Sequence, residues 1–482
     1  MKIIKNYIYN TLYRILILLL PLITVPYISR TLGAEGIGVN AYTFSVIQYF
    51  VLIATLGLDT YSVREISKIR DDKEQLSKKF FEIFYLRIIT VIVAYSSFLV
   101  FILFFSDDYV KLYWIQSLYI IMVIFDLSWF FMGLEDFKKM VLRNIFTKII
   151  GILAIFIFVK GHDDLIIYII ILVLSQLAGQ LTVWPYLKQY ISLIKINKKN
   201  ILKHLKPTLI LFIPQISIQF YAVFNRVILG IFSDKAELGI FDNSYKIITM
   251  SLALISSIGT VMLPRISYMF EKENHEEIKK YLNLTLGITL LIAIGMIFGL
   301  LGIADNFALW FLGSEFIKAG AVISALTPSL LFITWGIIIG NQYLLPLNKM
   351  RTYTLAVSIG AITSVISNLI LIPIYSSVGA AISTSLAEFA VMVTMLIAVR
   401  SKIDFKTKLK ELPLYLISGI VMYYCLLIIS NLNINKPFVT MIQILIGFTI
   451  YLLVLILLKS QTIYYLMEMV KKLLAKKRKS PN

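Results

Sequence analysis

The sequence predicts an all-α polytopic membrane protein of about fourteen transmembrane helices. Their expected arrangement is two pseudo-symmetric, parallel six-helix lobes around a central cavity, followed by two extra C-terminal helices. Three observations lead there. The 482 residues are 59% hydrophobic and only 15% charged, too few polar groups for a wet surface around a core of this size. Apolar runs long enough to span a bilayer recur from one end to the other. Basic residues collect in alternate connecting segments.

The spans, in order, are expected at 7–28, 38–58, 80–105, 112–132, 142–160, 164–187, 207–231, 238–264, 281–302, 319–345, 352–373, 378–399, 411–430 and 437–458. The first continues into a multi-span chain with no small-residue cleavage site, so it reads as a retained span and not a signal peptide. All should be helices, because hydrocarbon leaves no other partner for backbone polar groups. Pro21, Pro26, Pro214, Pro328 and Pro346 are expected to mark kinks or breaks. With the N terminus inside, the inner segments hold 35 Lys and Arg and the outer ones 6, as the positive-inside rule requires. Both termini are therefore expected in the cytoplasm. Outer loops are short and leave no room for an extracytoplasmic catalytic domain.

The expected domains are an N-lobe at 1–190, a basic linker at 191–206, a C-lobe at 207–400 and two further helices within 401–458. A basic amphipathic tail at 459–482 is expected to lie on the inner leaflet, or else to act as a solvated topological anchor. The net charge of +19 is a membrane signal here, since the basic residues sit between apolar runs; no nucleic acid is expected as a partner. Cys425, the lone cysteine, lies in an apolar run and permits no disulfide framework.

Two segments repeat. Arg30-Thr-Leu-Gly33-Ala-Glu35-Gly-Ile-Gly38 resembles Arg226-Val-Ile-Leu-Gly230, which is followed by Ala236-Glu237-Leu-Gly239. They belong to spans 1–2 and 7–8. An even separation of six spans makes the copies parallel, and carriers built of repeats bind substrate at the interface between them.

Charges within spans are costly and so become candidate functional residues. The basic ones are Arg14, Arg87, Lys148, Arg226 and Lys246, with Arg30 at a span end; the acidic ones include Asp59, Asp126, Asp242 and Glu388. One reading is a cationic cavity suited to an anionic head group, because arginine binds phosphate through paired hydrogen bonds. The other is fastening, with Asp126 pairing Arg87 or Lys148. Lys148 leans to fastening, and Arg14 and Arg226 to the cavity. Lys246 has Asp242 four residues earlier, the spacing of a helical ion pair. Tyr42 and Gln48 are candidate sugar-contacting residues, although tyrosines also form interface belts. No Walker loop, metal-ligand spacing or hydrolytic constellation is present; His162, His204 and His275 all fall in expected loops. The chain reads as a carrier, with no enzyme activity, cofactor or metal expected.

Three stretches carry a family likeness: 26-PYISRTLGAEGIGVNAYTFSVIQYF-50 with 56-LGLDTYSVREISKIR-70, then 126-DLSWFFMGLEDFKKMVLRNIFTKII-150, then 225-NRVILGIFSDKAELGIFDNSYKI-247. The sequence resembles the bacterial polysaccharide flippases, exporters of O-antigen, capsule and exopolysaccharide repeat units. These belong to the multidrug/oligosaccharidyl-lipid/polysaccharide exporter superfamily, which is MATE-like. The resemblance implies a carrier of undecaprenyl-pyrophosphate-linked oligosaccharide in the bacterial cytoplasmic membrane, working by alternating access. On the analogy of the related lipid II flippases, Arg14, Arg30 and Arg226 would hold the pyrophosphate. Arg87 and Lys246 would add to the cationic surface, and Asp59, Asp126, Lys148 and Glu388 would couple transport or fasten helices. Energy would come from an H+ or Na+ gradient. Where the family usually has Asp-Arg, this chain has Asn225-Arg226, which removes the carboxylate that proton coupling at that position would need. Expected partners are the lipid-linked substrate, membrane lipids, a polysaccharide polymerase and chain-length proteins. The alternative is a cation-coupled multidrug exporter of the same fold. A membrane polymerase or ligase would want a large outer loop, and an amino-acid permease Gly-interrupted half-helices.

Overall fold

The computed structural model describes residues 2–105, 109–194, 198–271, 275–347, 349–400, 410–432 and 435–478. Side chains are described within these ranges except at 2–19, 137–142, 198–199, 214–215, 217–218, 220–222, 256–268, 270–271, 275, 469–470 and 472–478. Every regular element among the described residues is helical. Nine helical segments among them are long and apolar enough to cross a membrane; Met350–Val399 holds two expected spans, and Leu20–Lys68 holds the second span with the end of the first. The expected spans at 142–160, 207–231 and 238–264 fall on helices Phe137–Phe158, Leu205–Phe232 and Lys235–Glu271.

The chain divides into two compact units, Met1–Gly239 and Ile240–Asn482. In the first, α1 (Lys2–Thr55) is broken at Gly33, whose φ of 69° and ψ of 178° no helix contains. The expected turn between spans 1 and 2 is thus reduced to one left-handed residue, a conformation glycine adopts without a steric cost. Helical backbone runs through Pro21 and Pro26. The break comes where φ changes sign, not at the prolines as expected.

Short α2 (Leu58–Lys68) precedes α3 (Lys73–Phe105). Span 4 is built of three pieces, α4 (Val110–Gln116), α5 (Leu118–Phe125) and α6 (Ser128–Gly133). Asp126 makes the last break: its extended backbone ends α5, and its Oδ1 accepts the Ser128 N–H at 2.8 Å. An Asx-type bond of this kind lets a short polar side chain replace helical pairing where the chain turns. After α7 (Phe137–Phe158) and α8 (Leu165–Leu181) come short α9 (Trp184–Leu187) and α10 (Lys198–Ile201), then α11 (Leu205–Phe232), which packs on α1 and α2. Apolar clusters hold this unit together, two of them beside the residues that matter below. One, around Leu58, Phe80, Trp129 and Phe130, lies where α2, α3 and α6 meet; the other, around Ile47, Phe98 and Ile120, joins α1, α3 and α5.

Helix α12 (Lys235–Glu271) carries the boundary between the units. The second unit continues with α13 (His275–Leu312), α14 (Ala319–Leu326), α15 (Ser329–Ile339) and α16 (Met350–Val399), which is broken at Ser376 (φ 50°, ψ −122°) between expected spans 11 and 12. The last helices are α17 (Leu412–Ser430), α18 (Lys436–Leu457) and α19 (Gln461–Arg478). Lipid gives apolar faces no reason to leave it, so packed polar contacts tie such helices together. Here Gln443 donates to the Leu426 carbonyl at 2.9 Å, and the Tyr451 hydroxyl to that of Leu291 at 2.7 Å, fixing α18 to both α17 and α13. Large apolar side chains such as Phe104 and Leu457 point outward, as lipid contact requires.

Candidate functional site

The two repeated segments meet. A Cβ on Gly38 would stand 1.6 Å from the Lys235 carbonyl oxygen, and one on Gly239 would stand 1.9 Å from that of Ala34. Each would also lie 3.0 Å from the other glycine's amide nitrogen. The contact is reciprocal: each glycine faces the carbonyl four residues before the other. Such an exchange is what a local two-fold relation between equivalent helix starts produces. No other residue fits, because the obstructing atoms are backbone and cannot rotate away.

Around this crossing lie two sequence-predicted residues. The Tyr42 ring covers Gly230, and the Lys235 ammonium stands 3.9 Å from the ring centroid, a cation–π distance. The Lys235 ammonium also donates to the Gly230 carbonyl. Tyr42 is therefore half-buried in this crossing, with one face occupied. Arg30, three residues before the break at Gly33, is exposed. Gln48, farther along the same helix, is half-buried.

The other end of that helix is built from side chains. Arg87 on α3, expected among the substrate-binding cations, is 1% exposed. It pairs with the Asp59 carboxylate and donates to the carbonyls of Val123 at 3.1 Å and Asp126 at 3.4 Å. Its guanidinium lies 5.5 Å from the centre of the Trp129 ring. The geometry is that of a fastening that joins α2, α3 and span 4, not of a cavity wall. The expected pairing of Asp126 with Arg87 or Lys148 is corrected as well: only the Asp126 carbonyl reaches Arg87, because its carboxylate is occupied by the turn into α6. Lys148 is exposed on α7.

His204 was missed. Its position in a basic linker reads as a solvated loop, yet it lies in a short 3-10 turn and is 4% exposed. Its Nδ1 is 2.6 Å from the Tyr61 hydroxyl and its Nε2 is 3.0 Å from Glu82 Oε2. With Glu82 ionised, Nε2–H donates to the carboxylate and the tyrosine donates to Nδ1. Lys79 stands 4.0 Å from the same carboxylate and 3.9 Å from Glu65. The only sequence signal was a glutamate between Phe81 and Ile83 in an apolar run, since His204 itself follows Lys203.

Arg226 on α11 is half-buried beside the buried Asn225. In the second unit, Lys246 pairs with Asp242 at 2.8 Å across one helical turn, as its spacing implied, while its side chain stays 39% exposed. Glu388 is buried on α16. Arg14 lies among the residues whose side chains are outside the description. Among the described residues, no group of three His, Cys, Asp or Glu side chains is placed to hold a metal ion.

The polysaccharide biosynthesis protein family model matches residues 3–270. The chain is 24% identical to the putative O-antigen transporter of Escherichia coli (strain K12) over 404 residues, 82% of this chain and 96% of that one. Among solved structures, it is similar to the lipid II flippase MurJ in its inward closed conformation, with a TM-score of 0.75 and 18% identity over 94% of this chain and 98% of that one. It is also similar to an inward-facing multidrug resistance MATE family transporter, with a TM-score of 0.64 and 14% identity over 81% of this chain and 97% of that one. The fold is therefore the one shared by these transporters. With its apolar helices, the chain is a multi-pass membrane protein.

Proposed function

The chain belongs to the polysaccharide biosynthesis protein family, and we propose that it is a flippase for undecaprenyl-pyrophosphate-linked oligosaccharide repeat units. It carries them across the bacterial cytoplasmic membrane by alternating access and serves surface polysaccharide synthesis. The observation that carries this reading is the split among the membrane cations. Arg87 is sealed into packing, while Arg30 is exposed and Arg226 and Lys246 are half-exposed. Arg30 and Arg226 occupy matching places in the two repeated segments. A pyrophosphate cannot enter hydrocarbon without being neutralised, and guanidinium groups pair with its oxygens two at a time. The polyprenyl tail stays in lipid while the head group crosses.

On this reading the lobes are 1–190 and 207–400, both termini are cytoplasmic, and the Gly38–Gly239 crossing lies at the outer side. Arg14, Arg30 and Arg226 bind pyrophosphate, Lys246 adds charge, and Gln48 and Tyr42 border the sugars. Asp59 and Asp126 act in fastening. Lys148 and Glu388 are candidates for coupling to an H+ or Na+ gradient. A polymerase and chain-length proteins are the downstream partners. The chain is a carrier and catalyses no bond change.

Depletion of the protein should make lipid-linked oligosaccharide accumulate in the inner leaflet, read by its inaccessibility to an external glycosidase. Arg30→Ala and Arg226→Ala should do the same at unchanged membrane level. The Arg→Lys forms should restore part of the export if charge alone suffices. If depletion leaves the intermediate at normal levels but sensitises cells to cationic drugs, the multidrug-exporter reading of the same fold replaces this one.

A further inference from the structure

We infer that the C-terminal helix α19 is a preformed docking element for the anionic phospholipid headgroups of the leaflet in which span α18 ends. The inference is independent of what the protein transports. With the proposed orientation, that leaflet is the cytoplasmic one.

The junction is built to aim the helix. Span α18 stops at Leu457, and Lys459 then takes a left-handed conformation with φ of 54°. The Ser460 N–H donates back to the Leu455 carbonyl at 3.0 Å, and the Lys459 N–H to that of Ile456 at the same distance. This is the six-to-one closure with which helices end in a sharp change of direction. Helix α19 therefore starts at the membrane boundary, with no slack linker between it and the span.

A buried carboxylate fixes the new direction. Glu411, at the start of α17, is 9% exposed. Its Oε2 accepts from the Tyr415 hydroxyl at 2.5 Å, the Ser460 hydroxyl at 2.9 Å and the Thr462 N–H at 3.4 Å. A side chain from another helix thus does what an N-cap residue does, and its negative charge suits the positive end of α19.

Beyond the clamp, most of the described side chains are exposed. Ile463 is buried, yet Met467, one turn on and on the same stripe, is 39% exposed. The sequence continues the stripe at Val470, Leu473 and Leu474, the spacing of one helical face. Tyr464 and Tyr465 are exposed beside it, the residue type enriched at membrane interfaces. A cleft of about 580 Å³ runs along this side, with Lys459 and Lys471 in its lining. From Lys459 to the end of the chain there are seven basic residues and one acidic one, Glu468. An apolar stripe bordered by tyrosines and lysines, starting at the bilayer surface, complements a layer of anionic headgroups over acyl chains. Charge complementarity and continuity with the span select that occupant over a protein partner.

The test uses the full chain with Cys425→Ser and a single environment-sensitive fluorophore on Met467→Cys, reconstituted in nanodiscs with and without phosphatidylglycerol. The expected result is a blue-shifted emission, quenched by labels on lipid chains, in the anionic discs. The shift should shrink in high salt and on Lys471→Glu with Lys472→Glu. Glu411→Ala should abolish it while every positive charge remains. Should that variant fail to fold, the charge reversal at Lys471 and Lys472 still decides the matter. Emission that is the same in neutral and anionic discs overturns the proposal. So does a label that is buried only when another membrane protein of the same cells is added.

Discussion

The helix that follows Gly33 is held at its two ends in opposite ways. Near Gly38 it touches the start of α12 backbone to backbone, with no room for a single methyl group on either side. At its far end, past Thr55, Asp59 and Tyr61 are held by side chains, Arg87 in one case and His204 backed by Glu82 in the other. The difference shows how each end can be opened. A glycine crossing has no graded form: it is closed when the backbones touch and open when they part, and nothing must be deprotonated or desolvated in between. A buried polar cluster must break charged hydrogen bonds, which costs more and depends on the ionisation of its members. On the alternating-access reading proposed above, the glycine end suits frequent parting and the charged end suits a lasting fastening.

The largest effect should come from breaking the glycine end. Gly38→Val would put side-chain atoms where a carbonyl now lies, and overpacking of this kind costs about 1–3 kcal/mol locally. The expected outcome is loss of nearly all polysaccharide export with the protein still inserted, read by surface polysaccharide and membrane level together. Gly239→Ala should act the same way. A normal exporter from either variant would mean that this contact is not part of the cycle.

Next comes the sealed cation. Arg87→Leu strands Asp59 and two carbonyls, and removing one partner of a buried pair costs about 3–5 kcal/mol. The Asp59 side chain is 53% exposed, so the loss should fall at the low end or below. Thermal unfolding of the detergent-solubilised protein should show it, and Asp59→Asn added to Arg87→Leu should recover part. Additive losses would show that the two do not act as a pair.

A smaller loss, about 1–3 kcal/mol for an unsatisfied buried group, is expected from His204→Phe, which leaves Glu82 and Tyr61 without their shared partner. His204→Gln, able to keep one bond, should be milder. Smallest is Lys235→Ala, which removes a cation–π contact worth about 0.5–1 kcal/mol. It should lower thermal stability slightly and leave export within about twofold.

Hydropathy and charge asymmetry made the spans legible, because both are local properties of the chain. The glycine repeat was legible too, since both copies carry arginine, glycine, Ala-Glu and glycine in the same order, with a longer connection in the second. Pairing was not. Arg87 finds Asp59, 28 residues away on a different helix, while Asp126, the partner expected from its depth in span 4, spends its carboxylate on its own turn. His204 looked like a loop residue because a lysine-rich stretch surrounds it, and only tertiary packing brings Glu82 to its ring. The prolines misled in the other direction. Pro21 and Pro26 sit in continuous helix, and the break falls at Gly33, where a positive φ is needed.

The proposed function requires exposed and half-exposed arginines to carry a pyrophosphate across. The most direct measurement is transbilayer movement of an undecaprenyl-pyrophosphate oligosaccharide in proteoliposomes made with the wild-type chain and with Arg226→Ala, Arg226→Lys and Arg30→Ala. The expected result is protein-dependent movement that both alanine variants lose by at least tenfold, with partial activity from the lysine variant. Equal movement by the wild-type and alanine variants, or none by the wild-type chain, would contradict it.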